Sequence, residues 1–180
     1  MSAADSITAD LVRDLFHYDP ETGLLVNKKQ RGSRGAVGAA AGSVGANGYL
    51  RTRVNGADVY IHRLIWLFVT GAWPAADIDH KNGCKTDNRL SNLRSVTRAE
   101  NQQNQANAKA HNKSGLLGAH ISPDGSIYSE ITVAGERVRL GRFNSPEEAH
   151  AAYLKAKAKQ HPFATRVWMQ VQKPAAGSTA

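Results

Sequence analysis

Cysteine is almost absent: Cys84 is the only one in 180 residues. No intramolecular disulfide and no four-cysteine zinc site can form, which suits a reducing compartment. Long apolar runs are missing as well. The longest, Leu64 to Val69, is far too short to span a bilayer. The opening stretch MSAADSITADLVRDLF lacks a basic region followed by an apolar one, so no secretory signal is expected. Acidic residues are scarce beside basic ones, 15 Asp and Glu against 23 Lys and Arg, a formal net charge of +8. That surplus favours a polyanionic partner. There is no internal repeat, and the length suits one ordinary domain or two small ones.

What is present falls into two patterns. Residues 8 to 17 predict an amphipathic helix with Leu11, Val12, Leu15 and Phe16 on one side and Thr8 as its cap. Asp19-Pro20 and Gly23 predict a turn before a strand from Leu24 to Asn27. Residues 28 to 48 are rich in Gly, Ala, Lys and Arg without periodicity and read as a long basic loop. Asn55-Gly56 predicts a hairpin between Tyr49–Val54 and Asp58–Ile61. His62 to Thr70 reads as a buried helix ended by Gly71. Asp77 to His80 is strand-like, Leu93 and Val96 mark a second short strand or turn, and Thr97-Arg98-Ala99-Glu100 is a capping box opening a helix to about Ala108.

The most informative block is Asp79 to Asn101, DHKNGCKTDNRLSNLRSVTRAEN. It joins an acid–histidine pair to asparagines twelve residues after His80 and nine after that. Phosphodiester hydrolysis needs a base for water, a cation against phosphate charge, and geometry that aligns them. Imidazole titrates near neutrality, so His80 is a candidate base. Asp79 and Asn101 carry oxygen donors, the ligand type magnesium prefers. Adjacent strand residues point to opposite faces, so either the strand ends at His80 or a twisted loop turns the ring back. The Asn92 amide has the chemistry to hold such a loop, donating to one backbone carbonyl and accepting from one backbone N–H. Cys84 with His80 and His111 has no workable zinc spacing.

These residues resemble the HNH endonucleases with a ββα-metal site, in particular the phage and intron-encoded homing type. HRLIW at His62 to Trp66, DNRLSNLR and TRAENQQN match the style of that family over roughly residues 16 to 107. The resemblance implies that Asp79 and Asn101 are metal ligands, His80 the base and Asn92 its orienting residue. Asp in first place is similar to the magnesium-using members. His62 and Arg63 either touch a phosphate or serve the apolar helix.

From Gly115 the pattern changes. Leu117–Ile121, Ile127–Val133 and Arg137–Leu140 predict strands, and Ser145-Pro146-Glu147-Glu148 opens a helix to about Gln160. SGLLGAHI, GERVRLGRF and NSPEEAHAAYLKAKAKQHPFA resemble the ethylene-response-factor (Apetala-type) DNA-binding domain, although isoleucine stands at 127 where that family has tryptophan. Alternation turns Ile127, Ile131, Val133, Val138 and Leu140 toward the helix, and Tyr128, Glu130, Thr132, Arg137 and Arg139 outward. The resemblance implies that Arg137, Arg139, Arg142, His120 and Tyr128 meet DNA in the major groove, which admits β elements.

The expected architecture is therefore α+β: an HNH ββα-metal domain over residues 1–107 with its core at about 77–107, a linker at 108–114, a three-stranded antiparallel sheet packed on one helix at 115–164, and a tail at 165–180. The expected function is cleavage of double-stranded DNA, by nick or double-strand cut, with Mg2+ or Mn2+ in its place. The chain would act as a monomer or homodimer, away from membranes, in the cytoplasm of a phage or bacterial host cell. A non-enzymatic DNA-binding regulator and an RNA-acting nuclease are the rival expectations.

Overall fold

The structure is a computed structural model that describes residues 6–32, 35–104, 108 and 111–164. It divides into two units, Met1–Arg98 and Ala99–Ala180. The expected linker at 108–114 lies beyond that division.

The first unit begins with α1, Ala9–Leu15, whose cap Thr8 accepts from the Leu11 N–H at 3.2 Å. The helix is shorter than the sequence predicts. Phe16 has extended backbone and opens strand β1, Phe16–Asp19, paired antiparallel with β2, Leu24–Asn27. Phe16 does join the apolar side, being wholly buried, but as a strand residue opposite Asn27. Its burial, not its helical spacing, decides the local conformation.

The basic segment after β2 is less free than its composition suggests. Ala41 N–H donates to Leu25 O, Gly38 N–H to Asn27 O, and Ser43–Val44 forms β3 on the edge of a sheet. That sheet runs β3-β4-β5, with β4 at Leu50–Val54 and β5 at Ala57–Tyr60. The turn between β4 and β5 takes positive φ at Asn55 and Gly56, the backbone that matches strand twist in a two-residue hairpin. Helix α2, Ile61–Thr70, buries Ile61, Leu64, Ile65 and Leu67 against α1 and the sheet, and Gly71 ends it in the left-handed region. Strands β6, Asp77–His80, and β7, Leu93–Val96, close the unit as an antiparallel pair. A 3-10 turn at Leu90–Asn92 leads into β7.

Helix α3, Arg98–Gln103, starts at the division where the capping box predicts but ends five residues earlier than expected, and residues 105–107 lie outside the described ones. Residues 112 to 119 are tied together: Asn112 Nδ2 donates to Leu116 O at 2.9 Å, and Ser114 Oγ to Ala119 O at 2.7 Å. Strands β8, Ala119–Ile121, β9, Ile127–Val133, and β10, Glu136–Phe143, form an antiparallel sheet in the order β10-β9-β8. Helix α4, Pro146–Gln160, packs on all three strands, capped by Ser145, which accepts from the Glu148 N–H at 3.1 Å. Ile131 and Ala149 are buried between them. Val138 pairs with the buried Ile131 and so keeps its predicted face, yet it is 44% exposed. It lies on the edge strand just before a register shift between Arg139 and Gly141, and Leu140 falls between those two paired positions. One extra residue bends the strand and breaks the simple alternation. The expected tail at 165–180 lies outside the described residues. Among the described residues no helix is long and apolar enough to cross a membrane.

Gly23 joins β1 to β2 with φ +74, and a Cβ there would meet Arg89 N at 2.5 Å and the Asn88 carbonyl carbon at 2.8 Å. Gly23→Ala is expected to destabilise the first unit by about 2–3 kcal/mol, combining left-handed strain with overpacking against backbone. Urea unfolding of the two proteins checks this; equal midpoints would refute the contact.

Candidate active site

Strand β6 ends at His80, and the chain turns at once, with Gly83 N–H donating to His80 O at 2.8 Å. The loop from Lys81 to Arg89 is polar, so its buried backbone groups need partners from side chains. Asn92 supplies them. Its Oδ1 accepts from Asn82 N–H at 3.0 Å; its Nδ2 donates to Asp87 O at 2.8 Å and to Asn82 Oδ1 at 3.0 Å. The backbone carbonyl of Asn92 accepts from Lys81 N–H at 2.9 Å. Asn82 Nδ2 in turn donates to Asp87 Oδ2 at 2.7 Å, and Arg89 grips the same carboxylate at 2.6 and 2.8 Å. The Arg89 hydrogen bonds, with that from Asn82, hold the Asp87 carboxyl at about 2, so it stays ionised.

The His80 ring is 3% exposed, and its Nε2 lies 3.0 Å from Asn88 Oδ1. Asn92 therefore shapes the loop, while the side chain on the ring is Asn88. Neither spacing nor composition singled out Asn88. Around His80 stand the rings of Tyr49, 5.7 Å away between centroids, and His62, 5.2 Å away and edge-on. His62 also stacks on Tyr60 at 5.3 Å. Alternating basic and apolar residues near Tyr49 hid this cluster, which only the pairing of β4, β5 and α2 assembles. His62 Nδ1 is buried with no hydrogen-bond partner. Burial first, then the neighbouring His80 and Arg63, lowers His62 to about 3, so its imidazole is neutral near pH 7.

Asp79 faces Arg94 across the β6–β7 pair. Arg94 donates to Asp79 Oδ2 from Nε at 2.9 Å and from its terminal nitrogen at 2.7 Å. Both side chains are largely buried, at 8% and 15% exposure. A buried carboxylate left without such a partner would carry a heavy desolvation cost. Arg94 was another residue that the spacing argument passed over, although an acid and a base at directly opposed strand positions are a known stabilising pair.

Among the described residues no group of three or more His, Cys, Asp or Glu side chains could hold a metal ion. A divalent cation would thus rest on a sparse set of hard donors. The carboxylate of Asp79 has that chemistry, and a magnesium ion commonly keeps several waters beside one or two carboxylates. Asn101 sits on α3 and belongs to the second unit.

The other expected residues are placed as follows. Arg63 lies over the Trp73 ring at 5.8 Å. In the second unit Tyr128 stacks with His120 at 5.2 Å, and Arg139 covers the Tyr128 ring at 4.1 Å. Arg142 is exposed and opposite Tyr128 in the β9–β10 register. Arg137 is exposed, 4.0 Å from Glu130.

Residues 59–103 match the model of a family described as HNH endonuclease. The match spans β5 through α3 and takes in His62, Asp79, His80, Asn88, Asn92, Arg94 and Asn101. It stops well before β8, and nothing in it supports an ethylene-response-factor-like domain at the C-terminal end. No curated protein and no solved structure matches the chain.

The low value at His62 sets a stability dependence on pH. The unfolded chain takes up this proton near pH 6.5 and the fold resists it to about 3, so the contribution is complete above pH 6.5 and is lost as pH falls toward 3. Between pH 7 and pH 5 the expected loss from this group is up to about 2 kcal/mol. Urea titrations of wild type and His62→Gln at both values measure it; equal losses in the two proteins would contradict it.

Proposed function

We propose that the chain is a divalent-metal-dependent endonuclease of the HNH homing type that hydrolyses phosphodiester bonds in double-stranded DNA. The HNH endonuclease domain at 59–103 supports nuclease activity and a DNA substrate in general terms. The observation that carries the finer reading is the buried His80 at the end of β6, with its ring bonded to Asn88 beside a loop closed by Asn92. A preorganised imidazole of this kind suits removal of a proton from water that attacks phosphorus.

In this reading His80 is the general base and Asn92 acts through the loop that carries it. Asp79 would hold a magnesium or manganese ion, whose charge would offset that on the scissile phosphate and the leaving oxygen. Arg94 holds the Asp79 carboxylate in place through two hydrogen bonds to Oδ2. The His62 ring beside His80 is neutral at pH 7 and adds no charge of its own to the site. The net charge of +8 supports polyanion binding, with affinity falling steeply as salt rises.

Site choice is assigned to the second unit, in the manner of an ethylene-response-factor-like module. The stack of His120, Tyr128 and Arg139 on its sheet, with Arg137 and Arg142 exposed on β10, is of the right chemistry for base edges and phosphates. His62 and Arg63 were candidates for DNA contact; burial of His62 favours a supporting role for it.

Supercoiled plasmid incubated with Mg2+ or Mn2+ is expected to become nicked or linear. His80→Ala should slow this on the order of 100-fold or more while DNA affinity holds. A wild-type protein that binds DNA but leaves plasmid intact with either ion is a binding regulator instead. Preferential cutting of an RNA duplex in competition would move the substrate class to RNA.

A further inference from the structure

Asn88 is among the most deeply buried polar residues of the first unit, 1% exposed, and its contacts leave its amide one orientation. Its Nδ2 donates to Thr86 O at 3.3 Å. A flipped amide would set Asn88 Oδ1 against that carbonyl oxygen, two acceptors facing each other. With Nδ2 on Thr86, Oδ1 faces His80 Nε2 at 3.0 Å. An amide oxygen only accepts, so His80 Nε2 must carry the hydrogen. In the neutral ring the lone pair then lies on Nδ1.

The backbone around Asn88 is braced independently of the 59–103 segment. Tyr18 Oη donates to Asn88 O at 3.3 Å and accepts from Leu90 N–H at 2.8 Å. Gly23 lets the β1–β2 turn sit directly on the Asn88–Arg89 peptide, where any Cβ would collide. The side chain facing His80 is thus held from both flanks.

We infer that Asn88 is a positioning residue that fixes His80 as the Nε2–H tautomer and so makes Nδ1 the nitrogen that takes the proton from water. The assignment rests on the nuclease reading of His80 for its consequence, but not for the tautomer itself. A ring free to exchange tautomers would present its basic nitrogen in the wrong place part of the time. In a serine protease triad the wrong tautomer is known to cost about 10⁴-fold in turnover.

Nitrogen-15 NMR of the histidine rings in the full chain reads the tautomer directly, at a pH above the ordinary imidazole range. In wild type His80 is expected to show a protonated Nε2 and an unprotonated Nδ1. Asn88→Leu should show both tautomers, with single-turnover plasmid cleavage reduced on the order of 100-fold and DNA affinity unchanged. Asn88→Asp keeps an acceptor on Nε2–H, and should keep the wild-type tautomer and recover most of the rate. It also serves if the leucine variant fails to fold. A wild-type Nδ1–H signal overturns the inference whether or not the chain cuts DNA, as does an Asn88→Asp ring with Nδ1–H. Full cleavage by a folded Asn88→Leu overturns it too. Cleavage undiminished in His80→Ala would instead sink the nuclease reading, leaving the tautomer result to stand or fall alone.

Discussion

Everything at the site depends on satisfying a polar, only partly buried stretch of backbone. The segment from Lys81 to Arg89 has little apolar side chain to bury, so hydrophobic packing cannot shape it. Two asparagines do so instead. Asn92 takes one N–H, one carbonyl and one side-chain oxygen of the loop, and Asn88 turns its amide to the imidazole of His80. Asparagine suits both places because one short side chain carries donor and acceptor together. An aspartate at 92 would lose both donations, and a leucine would leave all three part-buried partners without it.

Charge is handled with similar economy. The two anionic side chains near the histidine loop, Asp79 and Asp87, are each held by an arginine, Arg94 and Arg89. The two imidazoles stand edge-on, and burial keeps His62 neutral near pH 7. The result is an interior with little uncompensated charge, where an arriving phosphate and cation would meet oriented dipoles and one partly neutralised carboxylate. Interactions in such a medium are stronger than in water.

Legibility from sequence followed the range of the interactions. The Asn55-Gly56 hairpin, the Ser145 cap and the Gly71 helix end were readable because each is settled within a few residues. The amide chemistry of Asn92 was readable because its partners lie five and ten positions away in the same block. Asn88 was not, since its approach to His80 depends on how the loop closes. Nor was the strand conformation of Phe16, which shares its spacing with the helix before it and is decided by burial against distant residues. The edge strand inside the basic segment at Ser43–Val44 had no periodicity to announce it. Val138 takes the face that alternation predicts, opposite the buried Ile131, but alternation does not reveal its 44% exposure on the edge strand.

Tyr18 touches Asn88 and Leu90 across 70 and 72 residues of sequence. The residues carrying the family match therefore do not contain their own support. Contacts of such separation must overcome the loop-closure entropy of the whole intervening chain before they return any stability. During synthesis the bracing hairpin leaves the ribosome first and waits, unpaired with its loop, until Leu90 has emerged. An incomplete chain thus carries His80 before the brace on its loop is in place, and a site on this plan is complete only after nearly the entire first unit has been made.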